Sequence, residues 1–345
     1  MSETYVEMRI ARHGGPEVLE AVTLPAREPG PGEVRVATRA CGLNFADVFA
    51  RMGLYEAAPP PPFAPGFEAA GDVDAVGPGV VGFAPGDRVV ACTRFGGYAT
   101  RVWAPERLVL RIPEGVSFEE AAGFPAVYAT AHHALVRLGH VEAGWIVLVH
   151  AAAGGVGMAA MQLARNRGAR VLATCGGARK VGVVRGWGFD EVLDYREHDF
   201  EPWVRACTRG RGVDLVLDSV GGESFRKSYR LLAPMGHLVM FGMAGFCPTG
   251  PRPSWFALAR EWLRQPRFSP LAMLPENRTV SGFNLVYMFQ EEAMTRRMLP
   301  ELAAEWAAGK LRVHVDRTFP LREAGAAQEH LRSRASVGKV VLVSN

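Results

Sequence analysis

The chain has 345 residues, a formal net charge of +4, 48% hydrophobic and 21% charged residues, and a mean hydropathy near zero. That length exceeds one ordinary core and fits about two domains of roughly 150 residues each. Ample apolar content with charges of both signs excludes a disordered chain, and 39 Gly and 24 Pro without a period exclude a collagen-like or low-complexity one. The basic excess is Arg scattered among Asp and Glu, with Lys only at Lys180, Lys227, Lys310 and Lys339. No long block of like charge forms, so no nucleic-acid partner is expected.

The N-terminus carries early acids and no apolar core of signal-peptide length. Cys41, Cys92, Cys175, Cys207 and Cys247 are widely spaced with no CxxC pair, which predicts neither a disulfide framework nor a four-cysteine zinc site. A reducing, cytoplasmic setting is the expectation. The first third reads as β-rich, with short apolar runs between turn signals at Pro29-Gly30-Pro31-Gly32, Gly77-Pro78-Gly79 and Pro85-Gly86-Asp87. Pro59, Pro60, Pro61, Pro62 and Pro65 mark an extended loop, because proline has no donor for a ladder. From about Val127 the texture changes. Helical patterning over 129–138 precedes a strand at 145–150, a glycine turn, a helix over 157–167 and a strand at 170–174. Further strands at 191–194, 213–218 and 237–241 continue a β–α alternation that predicts a parallel sheet with helices on both faces. The tail, 294–331, reads as helical apart from a strand near 311–315. It closes on a strand at 338–344 with no following element, which predicts a return to the first domain.

The run 143–164 has no formal charge, yet Gly144, Gly154, Gly155 and Gly157 break it into strand, turn and helix rather than a membrane span. Small residues at that corner let backbone approach a pyrophosphate whose charge rests at the helix N-terminus. The acid that usually holds a ribose lies about 20 residues after the glycines. Here no Asp or Glu occurs anywhere from 143 to 189, and Arg179 and Lys180 follow the second strand instead. A 2′-phosphate needs such cations, and Tyr195 at the end of the third strand adds a hydroxyl. These residues point to NADPH.

The AAAGGVG turn, the segment NFADVFARMGLY and the closing SRASVGKVVLV resemble the medium-chain dehydrogenase/reductase superfamily from end to end, within its zinc-independent quinone oxidoreductase group. HAAAGGVGMAA, PMGHLVMFGMAG, GPRPSWFALAREW and ENRTVSGFNLVY are most similar to its vesicle amine transport protein homologue branch. The resemblance implies an α/β fold: a groES-like β-rich catalytic domain from 1–126 and 286–345, and a Rossmann domain from 127–285 with a doubly wound parallel sheet. It also implies a cleft holding cofactor and substrate, and a homodimer joined through the edge strand, expected at 279–285. Carried onto this sequence, it places Asn44 beside the nicotinamide ribose and amide, with Thr130 touching the cofactor. Ala153, Gly154, Gly155 and Val156 would hold the pyrophosphate, and Lys180 and Tyr195 the 2′-phosphate. Phe241, Gly242 and Met243 would line the path from adenosine to nicotinamide, with Phe283 near the nicotinamide and Arg334 reaching the phosphates.

Zinc-dependent relatives carry Cys at the position of Asn44 and His at that of Phe67, and neither side chain here replaces a thiolate or imidazole at tetrahedral zinc. The expectation is no zinc and no other metal; His132 and His133, adjacent in a helix, face different sides. Without a Lewis acid the acceptor must already be electrophilic, as quinones and α,β-unsaturated carbonyls are. Catalysis is then mostly positioning, with a few donors at the developing charge. Tyr55 matches a tyrosine that related enoyl reductases place over the substrate; packing under the proline loop is its other reading. Phe49 stands where a tyrosine is usual, and Tyr128 is a weaker hydroxyl candidate. An aromatic insertion carries Trp255, Leu258, Trp262 and Leu263 at helical spacing beside Arg260, Arg264 and Arg267. Its stripe is expected to pack over the cleft or dimer interface rather than rest on a membrane surface. The expected activity is hydride transfer from NADPH to a quinone or enone. Alternatives are reduction of an enoyl thioester, and a nucleotide-binding protein of little turnover that is peripheral to membranes or partners.

Overall fold

In the computed structural model the described residues are 3–247, 259–260, 262–263, 265–289 and 291–344. The chain divides into two compact units, the first from Met1–Ala129 with Leu285–Asn345 and the second from Thr130–Asn284. The first division falls inside the helix Pro125–His132, three residues beyond the expected 126, because an unbroken helix carries the chain from one unit into the other.

The first unit is built on a sheet ordered Val315–Pro320, Lys339–Val343, Glu33–Gly42, Glu68–Val76, Arg88–Cys92 and Val109–Arg111, with Arg101–Pro105 also paired to Glu33–Gly42. An antiparallel ribbon, Thr4–Ile10 with Leu19–Pro25, accompanies it. The final strand sets Val341 opposite Gly42 and Leu342 opposite Cys41, so the C-terminus completes a sheet begun by the N-terminal third. The strand expected near 311–315 lies at Val315–Pro320 instead. Its parallel pairing with Lys339–Val343 decides the position, a tertiary contact that local pattern does not contain.

The second unit holds a six-stranded sheet, all of its ladders parallel. Its order is Val192–Asp194, Arg170–Cys175, Ile146–Val149, Val213–Asp218, Leu232–Met240 and Thr279–Gly282. This is the Rossmann order, in which chain direction across the sheet reverses beside the first strand and ligands bind beyond the strands' carboxyl ends. Its core packs Leu148, Leu172, Val216 and Leu238 with Val204 and Leu231. Val213–Asp218 is buried at every position, as strands covered on both faces are. The edge strand ends at Gly282, short of 285, and a short helix, Leu285–Met288, follows. No described helix is long and apolar enough to cross a membrane, and residues 143–164 contain the expected strand, turn and helix.

Candidate functional site

The strand Ile146–Val149 delivers the chain to Ala151, whose φ of 50° starts a sharp turn. The helix that follows runs Gly155–Asn166, two residues earlier than its apolar pattern predicts, because Gly155 and Val156 already have helical geometry. Gly154 caps it in extended conformation. No side chain caps this end and no acid stands in its first turn, which leaves backbone N–H groups able to receive an anion. Gly154, Gly155 and Val156 are half-buried and Ala153 is buried. Gly157 has a different task. A Cβ there would lie 2.5 Å from the Ala151 carbonyl oxygen and 2.7 Å from the Ala152 Cα, so glycine lets the helix close onto its own turn.

Beneath the turn runs a buried polar chain. His150 Nδ1 lies 2.8 Å from Thr174 Oγ1 and its Nε2 lies 3.0 Å from Ser228 Oγ. The Ser228 and Ser224 hydroxyls donate to Asp218 Oδ2 at 3.0 and 2.7 Å, and the Val220 amide donates to Asp218 Oδ1 at 2.8 Å. The ends of three neighbouring strands are thereby tied together. Burial holds His150 below its ordinary value, so the ring is neutral at pH 7. Ser228 is fully buried and its proton goes to Asp218, so this is not a nucleophile with its base.

The second strand ends at Gly176 and Gly177, the latter at φ 95°, ahead of the helix Ala178–Gly186. Arg179 is exposed and Lys180 half-buried at the start of that helix. The Cys175 thiol is pushed up to about 11, chiefly by burial, with the Lys180 charge acting against that rise. Asp194 closes the corner: both its oxygens accept from the Gly177 amide at 2.9 Å, and Oδ1 also accepts from the Arg196 amide at 3.0 Å. Those backbone donors hold its carboxyl below the ordinary range. Tyr195 is 46% exposed, with its hydroxyl over Gly176: a Cβ there would meet that oxygen at 2.8 Å. Lys180 stands in the first turn of the helix that follows this corner, and the Tyr195 hydroxyl stands over its first glycine.

Beyond the strand Leu232–Met240, the Phe241 amide donates to the Asp218 carbonyl at 3.2 Å, and Gly242 packs closely on Ser219. Met243 is 52% exposed. The rings of Phe241 and Phe283 stand 5.9 Å apart, and Phe283 lies 4.6 Å from His133. Burial, with Arg137 and His132 nearby, pushes His133 down to about 4. Thr130 is buried at the start of this unit.

In the first unit Asn44 caps the helix Phe45–Arg51, its amide N–H donating to Asp47 Oδ2 at 2.8 Å. Its side chain belongs to a buried ionic cluster. Lys339 donates to the Leu43 carbonyl at 2.6 Å, to Asn44 Oδ1 at 2.9 Å and to Glu68 Oε1 at 2.7 Å. Asn44 Nδ2 donates to Glu68 Oε1 at 3.0 Å, and the Ala126 amide to Glu68 Oε2 at 2.7 Å. The Asn44 amide has one orientation here, since a flip would set its NH2 against an ammonium and its oxygen against a carboxylate. Tyr55 lies past the opposite end of the same helix. Its ring meets Phe67 edge-on at 6.3 Å and packs by the Ile10, Val18, Ala50 and Phe63 core. Phe67 in turn lies 5.3 Å from Phe95. Among the described residues no group of three or more His, Cys, Asp or Glu could hold a metal ion. Tyr128 spends its hydroxyl on the Arg312 carbonyl at 2.8 Å. Arg334 follows the helix Ala324–Arg332 at φ 59° in this unit.

Glu68, Lys339, Arg196 and His150 escape the sequence reading. A signal existed for Lys339, the lone charge in the apolar strand KVVLV, whereas Glu68 shares its strand with Asp72 and Asp74 and does not stand out. Of the aromatic insertion, Trp262 and Leu263 are 66% and 72% exposed in the single chain. Trp255, Leu258 and Arg264 lie outside the described residues.

Residues 30–114 match the family described as the alcohol dehydrogenase GroES-like domain, and residues 187–342 the family described as zinc-binding dehydrogenase. The chain is 39% identical to the human synaptic vesicle membrane protein VAT-1 homolog, over 96% of this chain and 84% of that one. It is 35% identical to a quinone oxidoreductase of Pseudomonas aeruginosa, over 97% and 98% of the two chains. A mycobacterial protein whose structure was solved in complex with NADPH superposes with a TM-score of 0.85 at 34% identity, covering 98% of this chain and 99% of that one.

Proposed function

The chain belongs to the medium-chain dehydrogenase/reductase superfamily, in its zinc-independent quinone oxidoreductase-like group, and from that premise we propose that it is an NADPH-dependent reductase of quinones or α,β-unsaturated carbonyls. The observation that carries the cofactor choice is the corner at the end of the second strand. Asp194, which lies on its loop, accepts from backbone amides, while Lys180 and the Tyr195 hydroxyl border the same loop. A 2′-phosphate fits that donor set; a bare ribose diol would find no carboxylate presented to it.

Bound NADPH would supply a hydride to the acceptor. The uncapped helix end at Gly154, Gly155 and Val156 would bind the pyrophosphate, the corner would fix the adenosine end, and Phe241, Gly242, Met243 and Phe283 would set the path of the remainder, with Thr130 and Asn44 against the nicotinamide half and Arg334 on the phosphates. Asn44, locked by Glu68 and Lys339, would present a fixed amide. The Tyr55 hydroxyl would donate to the charge developing on the acceptor oxygen. A metal is not required, because conjugation in the acceptor takes up that charge, and the Asn44 and Phe67 side chains supply no ligand pair for zinc. We assign the assembly as a homodimer paired through Thr279–Gly282, the terminal strand of its sheet.

Steady-state kinetics with a panel of quinones, enones, enals and enoyl thioesters test this reading. The expected result is turnover of quinones or enones with a large kcat/KM preference for NADPH over NADH that Lys180→Ala erodes. Equal use of NADH overturns the cofactor assignment. Selective turnover of enoyl thioesters moves the substrate class, and tight NADPH binding without turnover of any acceptor overturns the activity.

A further inference from the structure

The corner that ends the second strand holds one more cation, and it comes from a different element. Arg196 follows Tyr195 just past the third strand, Val192–Asp194. Its exposed side chain folds back over the glycine pair. A Cβ on Gly176 would lie 3.0 Å from Arg196 Nε, and one on Gly177 would lie 3.4 Å from Nη1. The space that a side chain at 176 or 177 would fill is thus bordered by the Tyr195 hydroxyl and the Arg196 guanidinium together. The guanidinium makes no hydrogen bond or ion pair with a described residue. Asp194 feels its charge, but the Asp194 oxygens accept from the Gly177 and Arg196 backbone amides. The same carboxylate therefore pins the loop and the root of Arg196 in one register.

We propose that Arg196 is a specificity-determining residue for the cofactor, its guanidinium closing on a 2′-phosphate from the third strand while Lys180 approaches from the helix on the other side of Gly176-Gly177. The inference rests on the NADPH reading above and adds to it a group that reads the phosphate rather than the nucleotide as a whole. A guanidinium presents paired N–H donors matched to two phosphate oxygens, which an ammonium does not. Asp194 is the counter-argument, being an anion near the same site. With its lone pairs turned to backbone N–H groups, it orients the cation more than it repels the phosphate.

The test separates phosphate from nucleotide by using fragments. Binding of 2′,5′-ADP and of 5′-AMP is measured by isothermal titration calorimetry on the full chain, wild type against Arg196→Ala, Arg196→Lys and Lys180→Ala, with Arg209→Ala as an exposed-arginine control. Arg196→Ala should weaken 2′,5′-ADP roughly 10- to 100-fold, the range of charge-assisted hydrogen bonds. It should leave 5′-AMP within about twofold. Arg196→Lys should fall between wild type and Arg196→Ala, and Arg209→Ala should change neither ligand. If Arg196→Ala matches wild type for 2′,5′-ADP while Lys180→Ala loses affinity, the Arg196 assignment is wrong and the NADPH reading stands. If Arg196→Ala weakens both ligands equally, the residue acts on the nucleotide generally and the assignment also falls. If wild type binds 5′-AMP as tightly as 2′,5′-ADP, the NADPH reading itself fails.

Discussion

Two polar clusters, one in each unit, place their charges in opposite settings. Around Asn44, the Lys339 ammonium and Glu68 carboxylate are almost fully buried, and the ammonium spends its hydrogens on three acceptors. Around Gly176 and Gly177, Tyr195 and Arg196 stand in solvent and hold donors open. A buried charge must be matched by the protein, because desolvation costs several kcal/mol per ion and geometry has to return it. An exposed one costs the fold almost nothing and is available to a ligand. Damage to the first cluster should therefore register as lost stability, and damage to the second as lost recognition in a protein that still folds.

The largest effect expected is from Lys339→Met, which leaves Glu68 buried beside Asn44 without its counter-ion. Urea unfolding should show a loss of about 3–5 kcal/mol. The double change Lys339→Met with Glu68→Leu should recover most of it, since an apolar pair removes both ions at once. A single variant of wild-type stability would mean that water already reaches the cluster. Next comes Gly157→Ala, whose Cβ would press on the backbone of Ala151 and Ala152. Backbone cannot swing aside as a side chain can, so a loss of about 1–3 kcal/mol is expected, read as a lower midpoint in the same urea titration.

His150 sharpens the comparison through pH. Burial lowers its folded value below that of the unfolded chain, so below about pH 6.5 the unfolded state takes up a proton that the folded state refuses. The stability it contributes is complete above that pH and declines as pH falls through it. Taking wild type against His150→Gln cancels other groups, including Asp47, which burial pushes up to about 7 and which acts in the opposite sense. The wild-type advantage should shrink by on the order of 1 kcal/mol between pH 7.5 and 5.5; an unchanged difference would place a charged His150 in the folded protein. The smallest effect on stability belongs to Gly176→Ala. The added methyl meets the mobile ends of Tyr195 and Arg196, so unfolding should move by less than about 0.5 kcal/mol. Its affinity for 2′,5′-ADP should nevertheless fall. If stability dropped as far as in Gly157→Ala, the two glycines would share one structural role and the contrast would fail.

Legibility in the sequence follows the same division. The β–α alternation, the glycine turn and the acid-free run that contains Lys180 are local, and the structure places the elements close to where periodicity and turn chemistry put them. The strand at Val315–Pro320 and the helix start at Gly155 depart from the local pattern for two reasons. One is chosen by a distant partner strand. The other begins in glycines, whose own propensity argues against a helix.

Sequence by itself determined the class of fold and the acid-free run that contains Lys180, because these depend on residue type and short-range order. Tertiary structure alone decided which charges meet. Lys339 reaches Glu68 across strands far apart in the chain. Arg196 reaches the glycine loop only because Val192–Asp194 pairs beside Arg170–Cys175 and Asp194 fastens the two. Nothing in the spacing of 68 and 339, or of 176 and 196, carries those distances. They come from strand order, and strand order is set when the whole core is buried at once.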